Sequence, residues 1–292
     1  MHPAILMRRH LLASAPLLLA GCSPAGLVNA LAPDHQVARS VAYGSGPRRS
    51  LDVYAPSGSA ISGRPVVLFL YGGSWDSGDK AMYRFVGDAL ASRGFVVVIP
   101  DYRLYPEVRY PAFLQDCAAA LAWTRQHAAR YGGSAAPPFI MGHSAGAYNA
   151  AMLTLDTRWL AAHDMTPRGD LRGMVGLAGP YDFLPLDTDE LRDIFAPGRP
   201  LQSTQPITYV DGRNPPVLLL AGKRDTTVRP GNTLRLAAAI RAKGGFALDL
   251  LYPGIGHVEI IAAFSGPLRF LAPSLRDSAS FMHAPAEAMA RW

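Results

Sequence analysis

The chain of 292 residues predicts an α/β fold: a mostly parallel, twisted sheet with helices on both faces. Two observations carry this. Val66-Val67-Leu68-Phe69-Leu70 and Phe95-Val96-Val97-Val98-Ile99 are apolar at every position, as strands buried on both faces must be. Segments of helical spacing separate such runs, which is the connection parallel strands require. A third observation adds an antiparallel N-terminal edge: two alternating segments flank Gly44-Ser45-Gly46-Pro47, a hairpin signal.

The first 21 residues read as a signal peptide. Met7-Arg8-Arg9 precedes "HLLASAPLLLAGC", whose apolar stretch of about ten residues is too short for a permanent membrane span. Leu19-Ala20-Gly21-Cys22 resembles the bacterial lipoprotein box, which implies cleavage before Cys22 and lipidation of it. Acyl chains on Cys22 imply an exported protein of the bacterial cell envelope, anchored to a membrane surface. Arg8-Arg9 followed by two leucines also looks like a twin-arginine export signal, and both export routes stay open. Lipidation would leave Cys117 unpaired, as a small buried apolar residue.

Residues 22–36 read as a tether, followed by a catalytic domain over 37–275 and a C-terminal tail over 276–292. After the hairpin, strands are expected at 66–70, 95–99, 139–141, 172–178, 217–221 and 247–252. Helices are expected at 82–92, 112–130, 145–155, 230–243 and 258–271. Residues 183–211, rich in Asp, Pro and Thr, form a small cap-like insertion after the sixth strand. The net charge of +6 is mild and no dense Lys/Arg run is present, which argues against a nucleic-acid partner. No His/Cys/Asp/Glu cluster has metal-ligand spacing and no phosphate loop is present, so neither metal nor cofactor is expected.

Gly142-His143-Ser144-Ala145-Gly146 fits G-x-S-x-G between a strand and a small-residue helix. In that context the serine sits on a sharp turn, and the glycines remove side chains that would clash there. A serine hydroxyl is a poor nucleophile without a base, and the base needs an orienting carboxylate. Asp225 follows the strand "VLLLA", and His257 follows the last strand, with Gly254 and Gly256 before it to let the loop bend. The rival acids are Asp182 and Asp211. Oxyanion donors are expected from the backbone N–H of Ala145 and from Gly73 and Ser74 in "YGGSW". Tyr71, Trp75, Tyr148, Tyr181 and Phe183 are candidates for the substrate pocket. His143 reads as local structure, and Asp101 and Arg103 as holding the loop after a strand.

With "YGGSW", "DYRLYPEVRYPA", "GHSAG", "GKRD" and "GIGH" in order over about residues 37–272, the chain resembles the esterase/lipase branch of the α/β-hydrolase superfamily. Hormone-sensitive-lipase-like and feruloyl-esterase-like carboxylesterases and kynurenine formamidases are the groups it is most similar to. The resemblance implies a cofactor-free serine hydrolase acting on carboxylic esters of small to medium acyl groups. An amidase or formamidase using the same triad is the alternative, and a binding lipoprotein that keeps only the fold is a third reading. Those groups usually carry His-Gly-Gly at the oxyanion loop; Tyr71 stands where the histidine would be.

Overall fold

The computed structural model describes residues 24–57, 62–196, 198 and 200–284. Eight strands form one sheet: β1 (Gln36–Ala42), β2 (Ser50–Tyr54), β3 (Val66–Leu70), β4 (Val96–Pro100), β5 (Phe139–His143), β6 (Gly173–Leu177), β7 (Val217–Gly222) and β8 (Ala247–Tyr252). Their order is β1-β2-β4-β3-β5-β6-β7-β8. β1 pairs antiparallel with β2, and β2 antiparallel with β4; every other pairing is parallel. This is the mostly parallel sheet that the apolar runs predict, with the antiparallel N-terminal hairpin that the alternating segments around Gly44-Ser45-Gly46-Pro47 predict.

The reason is burial. Every residue of β3 to β7 is buried, so these strands need cover on both faces. Cover comes from α2 (Arg84–Ala91), α3 (Ala112–His127) and α4 (Ala145–Leu155), and from the helices Gly231–Ala242 and Ser274–His283. β1, at the edge, alternates between half-buried and exposed positions. α4 spans the predicted residues and is buried throughout, as a helix against the middle of a sheet must be.

Two expectations are corrected. The helix expected at 258–271 is only one turn, Glu259–Ala262, because Gly266-Pro267 breaks it. The chain re-forms as a helix at Ser274–His283, which runs into the segment read as a tail. Leu275, Phe281 and Met282 are buried there, and the Ser274 hydroxyl donates to the Ile260 carbonyl at 2.7 Å. The segment read as a tether holds a helix, α1 (Pro24–Ala30). Its Asn29 Oδ1 accepts from the Phe85 N–H at 2.9 Å, and its Nδ2 donates to the Ala81 carbonyl at 2.8 Å. Tyr83, the N-cap of α2, makes no side-chain cap bond, so Asn29 supplies one from 56 residues away.

The insertion after β6 carries a helix, Asp189–Phe195, capped by the Thr188 hydroxyl, which accepts from the Leu191 N–H at 3.1 Å. No helix among the described residues is long and apolar enough to cross a membrane. Cys22 and the signal segment lie outside the described residues. Cys117 is a free, buried cysteine whose thiol is pushed up by burial.

Candidate active site

All of the site's loops leave the C-terminal end of the parallel strands, where β3, β5, β7 and β8 end. Ser144 stands between β5 and α4 with φ 55° and ψ −123°, a conformation costly for a residue with a side chain. The surroundings enforce it. A Cβ on Gly142 would lie 2.2 Å from the Gly146 carbonyl oxygen, and one on Gly146 would lie 2.0 Å from that of Leu70. Helix and strand therefore approach more closely than any other residue allows. The Ser144 N–H donates to the Leu177 carbonyl at 2.9 Å, which ties the turn to β6.

The structure brings Ser144, His257 and Asp225 together. Ser144 Oγ lies 2.9 Å from His257 Nε2, and His257 Nδ1 lies 2.8 Å from Asp225 Oδ2. The Asp225 side chain is fully buried, yet it has further partners: Oδ1 accepts from the N–H groups of Thr227 and Val228 at 2.9 and 2.8 Å. An ionised carboxylate is tolerable in the interior only with such company. The loops carrying acid and base are joined by backbone bonds, Lys223 N–H to Tyr252 and Arg224 N–H to Ile255, each at 2.9 Å. A Cβ on Gly222 would lie 2.1 Å from the Ile255 carbonyl oxygen, so glycine is required where the two loops touch. The rival acids are engaged elsewhere, Asp182 with Arg235 and Asp211 with Arg213.

His143 lies under this group. Its Nε2 sits 3.0 Å from the His257 carbonyl oxygen, which can only accept, so Nε2 carries the proton. Nδ1 is buried and has no partner among the described residues. Burial, reinforced by the nearby His257, pulls the His143 pKa down to about 3. His143 is thus a neutral prop for the backbone of the base.

The segment after β3 passes directly against the nucleophile. A Cβ on Gly72 would lie 2.9 Å from that of Ser144. Gly73, Ser74 and Trp75 follow with φ of 132°, 49° and 64°, three consecutive residues in conformations that side chains disfavour. Ala145 opens α4, so its N–H is among the first of the helix, with no partner inside it.

The aromatic candidates separate. Tyr148 and Trp75 are buried in one cluster with Phe183 and Phe195. Trp75 meets Tyr148 edge-on at 5.1 Å and Phe195 edge-on at 4.7 Å, and its indole N–H donates to Asn149 at 3.1 Å. Phe183 is the half-buried member. Tyr71 and Tyr181 are corrected as pocket residues. The Tyr71 ring is stacked on Tyr102 at 4.6 Å behind the loop, its hydroxyl tied to Arg48 and Asp101. Tyr181 is fully buried against the sheet, with its hydroxyl where a Cβ on Gly176 would be, 2.1 Å away.

Other contributors carry no motif. Asn232 Oδ1 accepts from the N–H groups of Tyr181 and Asp182, both at 2.9 Å, and so shapes the loop after β6. Gln205 Oε1 accepts from the Phe183 N–H at 2.8 Å. Nothing local marks either residue. Arg103 grips buried Asp116 with two nitrogens, at 2.8 and 2.9 Å, which fits its expected loop-holding part. Among the described residues no group of three or more His, Cys, Asp or Glu side chains is arranged to hold a metal.

Known proteins resemble this chain in sequence and in fold. The BD-FAE family model matches residues 51–240. A probable isoprenylcysteine alpha-carbonyl methylesterase of Arabidopsis thaliana is 27% identical over 77% of this chain and 51% of its own. The esterase LipC of Mycobacterium tuberculosis is 30% identical over 75% of this chain and 59% of its own. The chain thus spans little more than half the length of these curated relatives. Among solved structures, a truncated carbohydrate esterase from gut microbiota superposes with a TM-score of 0.74 at 22% identity, covering 86% of this chain and 97% of that one. The fold is that of the α/β-hydrolases.

Proposed function

The chain belongs to the BD-FAE family, and on that premise we propose that it is a serine esterase that cleaves carboxylic esters of small to medium acyl groups. The observation that carries the reading is the unbroken relay from Ser144 Oγ through His257 to buried Asp225. Ser144 attacks the acyl carbonyl carbon as His257 Nε2 takes the hydroxyl proton. His257 Nδ1–H donates to Asp225, which holds the tautomer that leaves Nε2 free to accept. The N–H groups of Gly73, Ser74 and Ala145 receive the negative charge that develops on the carbonyl oxygen. His257 then protonates the leaving alcohol. Water, activated by the same nitrogen, releases the acid and restores Ser144.

The aromatic side chains near Ser144 support that substrate class. The aromatic cluster of Trp75, Tyr148 and Phe183 lies next to the nucleophile: Trp75 follows Ser74, and Tyr148 is one helical turn beyond Ser144. The insertion at 183–211 packs Phe195 on that cluster, which supports a bounded acyl site beside Ser144 rather than a broad apolar face.

Labelling by a fluorophosphonate and hydrolysis of short p-nitrophenyl esters, in the wild type and in Ser144→Ala, test the reading. Labelling should vanish in the variant and turnover should fall by at least about three orders of magnitude. A folded wild type that neither labels nor turns over would return the chain to the non-catalytic reading. Labelling with turnover of amides alone would make it an amidase.

We also propose that Cys22 is lipidated and anchors the enzyme to a membrane of the bacterial cell envelope. The four residues Leu19 to Cys22 support this. Cys22→Ser should move the protein from the membrane to the soluble fraction; a variant that still sediments with membranes would refute the anchor.

A further inference from the structure

The loop that follows β3 has a conformation that demands an explanation. Three residues in a row hold positive φ, and two of them, Ser74 and Trp75, are not glycine. Such backbone persists only where the surroundings hold it. Its interior is a tight turn: the Gly73 carbonyl accepts from the N–H groups of Asp76 and Ser77, both at 3.0 Å. Its ends nearly touch, since a Cβ on Gly78 would lie 2.8 Å from the Gly72 carbonyl oxygen. Beyond Gly78, the Lys80 N–H and ammonium bind Asp101 at 2.8 and 3.0 Å.

One side chain spans both ends. Arg48, at the tip of the β1–β2 hairpin, donates from a single nitrogen, Nη2, to the Tyr71 hydroxyl at 2.8 Å and to the Gly78 carbonyl at 2.6 Å. Its Nε donates to the Tyr102 carbonyl at 3.0 Å. The rigid, permanently charged fork of a guanidinium suits this work; an ammonium could not hold all three acceptors in fixed directions. The tyrosine is oriented for it. The Tyr71 hydroxyl spends its one proton on Asp101 Oδ1 at 3.2 Å, so its lone pairs are left to accept from Arg48. Asp101 is held in turn from the same hairpin, where the Tyr43 hydroxyl donates to the Asp101 carbonyl at 2.6 Å. Arg48 itself is in the left-handed region at φ 55°, a second costly conformation that aims its side chain at the loop.

We infer that Arg48 is a positioning residue for the oxyanion site: with Tyr71 it clasps the two ends of the 71–78 loop and sets the direction of the Gly73 and Ser74 N–H groups. This rests on the reading of those groups as oxyanion donors. It also gives the antiparallel hairpin a part in catalysis, at the opposite edge of the sheet from the acid and the base. Tyr71, which stands where the resembling groups carry a histidine, holds the loop together with an arginine from a distant turn.

The test compares Arg48→Met, Arg48→Lys and Tyr71→Phe with Arg49→Met. Arg49 is a fair reference: it adjoins Arg48 but pairs with Asp116 on α3, at 2.8 Å, and does not touch the loop. An oxyanion site with misaimed donors loses transition-state stabilisation more than substrate binding. For a short p-nitrophenyl ester, Arg48→Met should lower kcat about 30-fold with KM within about twofold. Arg48→Lys should recover part of that loss, and Tyr71→Phe should lower kcat severalfold. Arg49→Met should leave kcat within about twofold. A folded Arg48→Met with the kcat of Arg49→Met would overturn the clasp, as would a loss that falls on KM alone. Should Arg48→Met fail to fold, Tyr71→Phe decides by the same criterion. Hydrogen exchange separates this inference from the esterase reading. Amides of residues 72–78 should exchange faster in Arg48→Met than in wild type, whether or not the protein turns over esters. Unchanged exchange there would overturn the clasp even in an active esterase.

Discussion

Two regions flank Ser144, and they are held by different physics. The 71–78 loop is fixed by directional bonds: a guanidinium fork, a shared carboxylate and a run of positive φ. The 183–211 insertion is fixed by shape. Phe183 and Phe195 meet each other edge-on at 5.5 Å, and Phe195 meets Trp75 and Tyr148 edge-on as well. Around these rings lie single side-chain bonds to the backbone, such as the Tyr148 hydroxyl to the Thr204 carbonyl at 2.7 Å. The contrast follows from the task proposed for each. Donors that stabilise a charge must keep an angle, and hydrogen bonds set angles. A wall that accepts an acyl group must keep a volume, and interlocked rings set volumes. Changes in the first region should therefore act on kcat, and changes in the second on KM and substrate choice.

The sharpest way to break the first region is Gly73→Ala. Its φ of 132° is closed to alanine, and the new Cβ would lie 2.3 Å from the Ser77 carbonyl oxygen. We expect kcat for a short ester to fall about 100-fold or more, on the scale of a lost oxyanion donor. Steady-state kinetics checks it; an unaltered kcat would remove this loop from the chemistry.

A smaller effect should mark the second region. Phe183→Ala opens the half-buried corner of the cluster without touching the relay. KM for a short acyl ester should rise severalfold, kcat should stay within about threefold, and longer acyl chains should gain relative to short ones. A series of p-nitrophenyl esters from acetate to octanoate reads this. If kcat falls while chain-length preference stays put, the two regions do not divide the work as argued.

The smallest effect at neutral pH should come from His143, which props the backbone of the base and belongs to neither wall. Its folded pKa of about 3 lies below the ordinary 6.5. The unfolded chain therefore binds the proton more readily. Stability from the neutral imidazole is complete above about pH 6.5 and is lost as pH falls toward 3. The loss between pH 6.5 and 5 should reach about 2 kcal/mol. His143→Gln keeps a donor for the His257 carbonyl but cannot titrate, so that part of the pH slope should disappear. Urea unfolding of both proteins at pH 7 and pH 5 measures it; equal slopes would mean that His143 charges without penalty.

Much of the site is legible in the chain because its local demands are strong. A serine on a strained turn needs glycines at Gly142 and Gly146, and the close backbone approaches at both show why. Asp225 and His257 are legible because each follows an apolar strand in the expected order. The geometry also disposes of Asp182 and Asp211, which the chain alone leaves as rivals. Tyr71 and Tyr181 misled because an aromatic beside a functional loop reads the same whether it faces substrate or core. Arg48, Asn232 and Asn29 carry no local signal at all. Their partners lie 23 to 56 residues away, and only folding makes them neighbours. The helix at Ser274–His283 was hidden for a related reason: its stability comes from burying Phe281 and Met282 on the sheet rather than from a long periodic pattern.

By itself the sequence determined the mostly parallel sheet and the candidate nucleophile and base, Ser144 and His257. Each depends on spacing along the chain: apolar runs too continuous for anything but buried strands, and glycines where no Cβ fits. Only the tertiary structure decided which acid reaches His257, which aromatics stay in the core, and what holds the loop beside Ser144. Those depend on distances across the fold, and a hydrogen bond or a ring contact exists only over a few ångströms of space, whatever the separation in sequence.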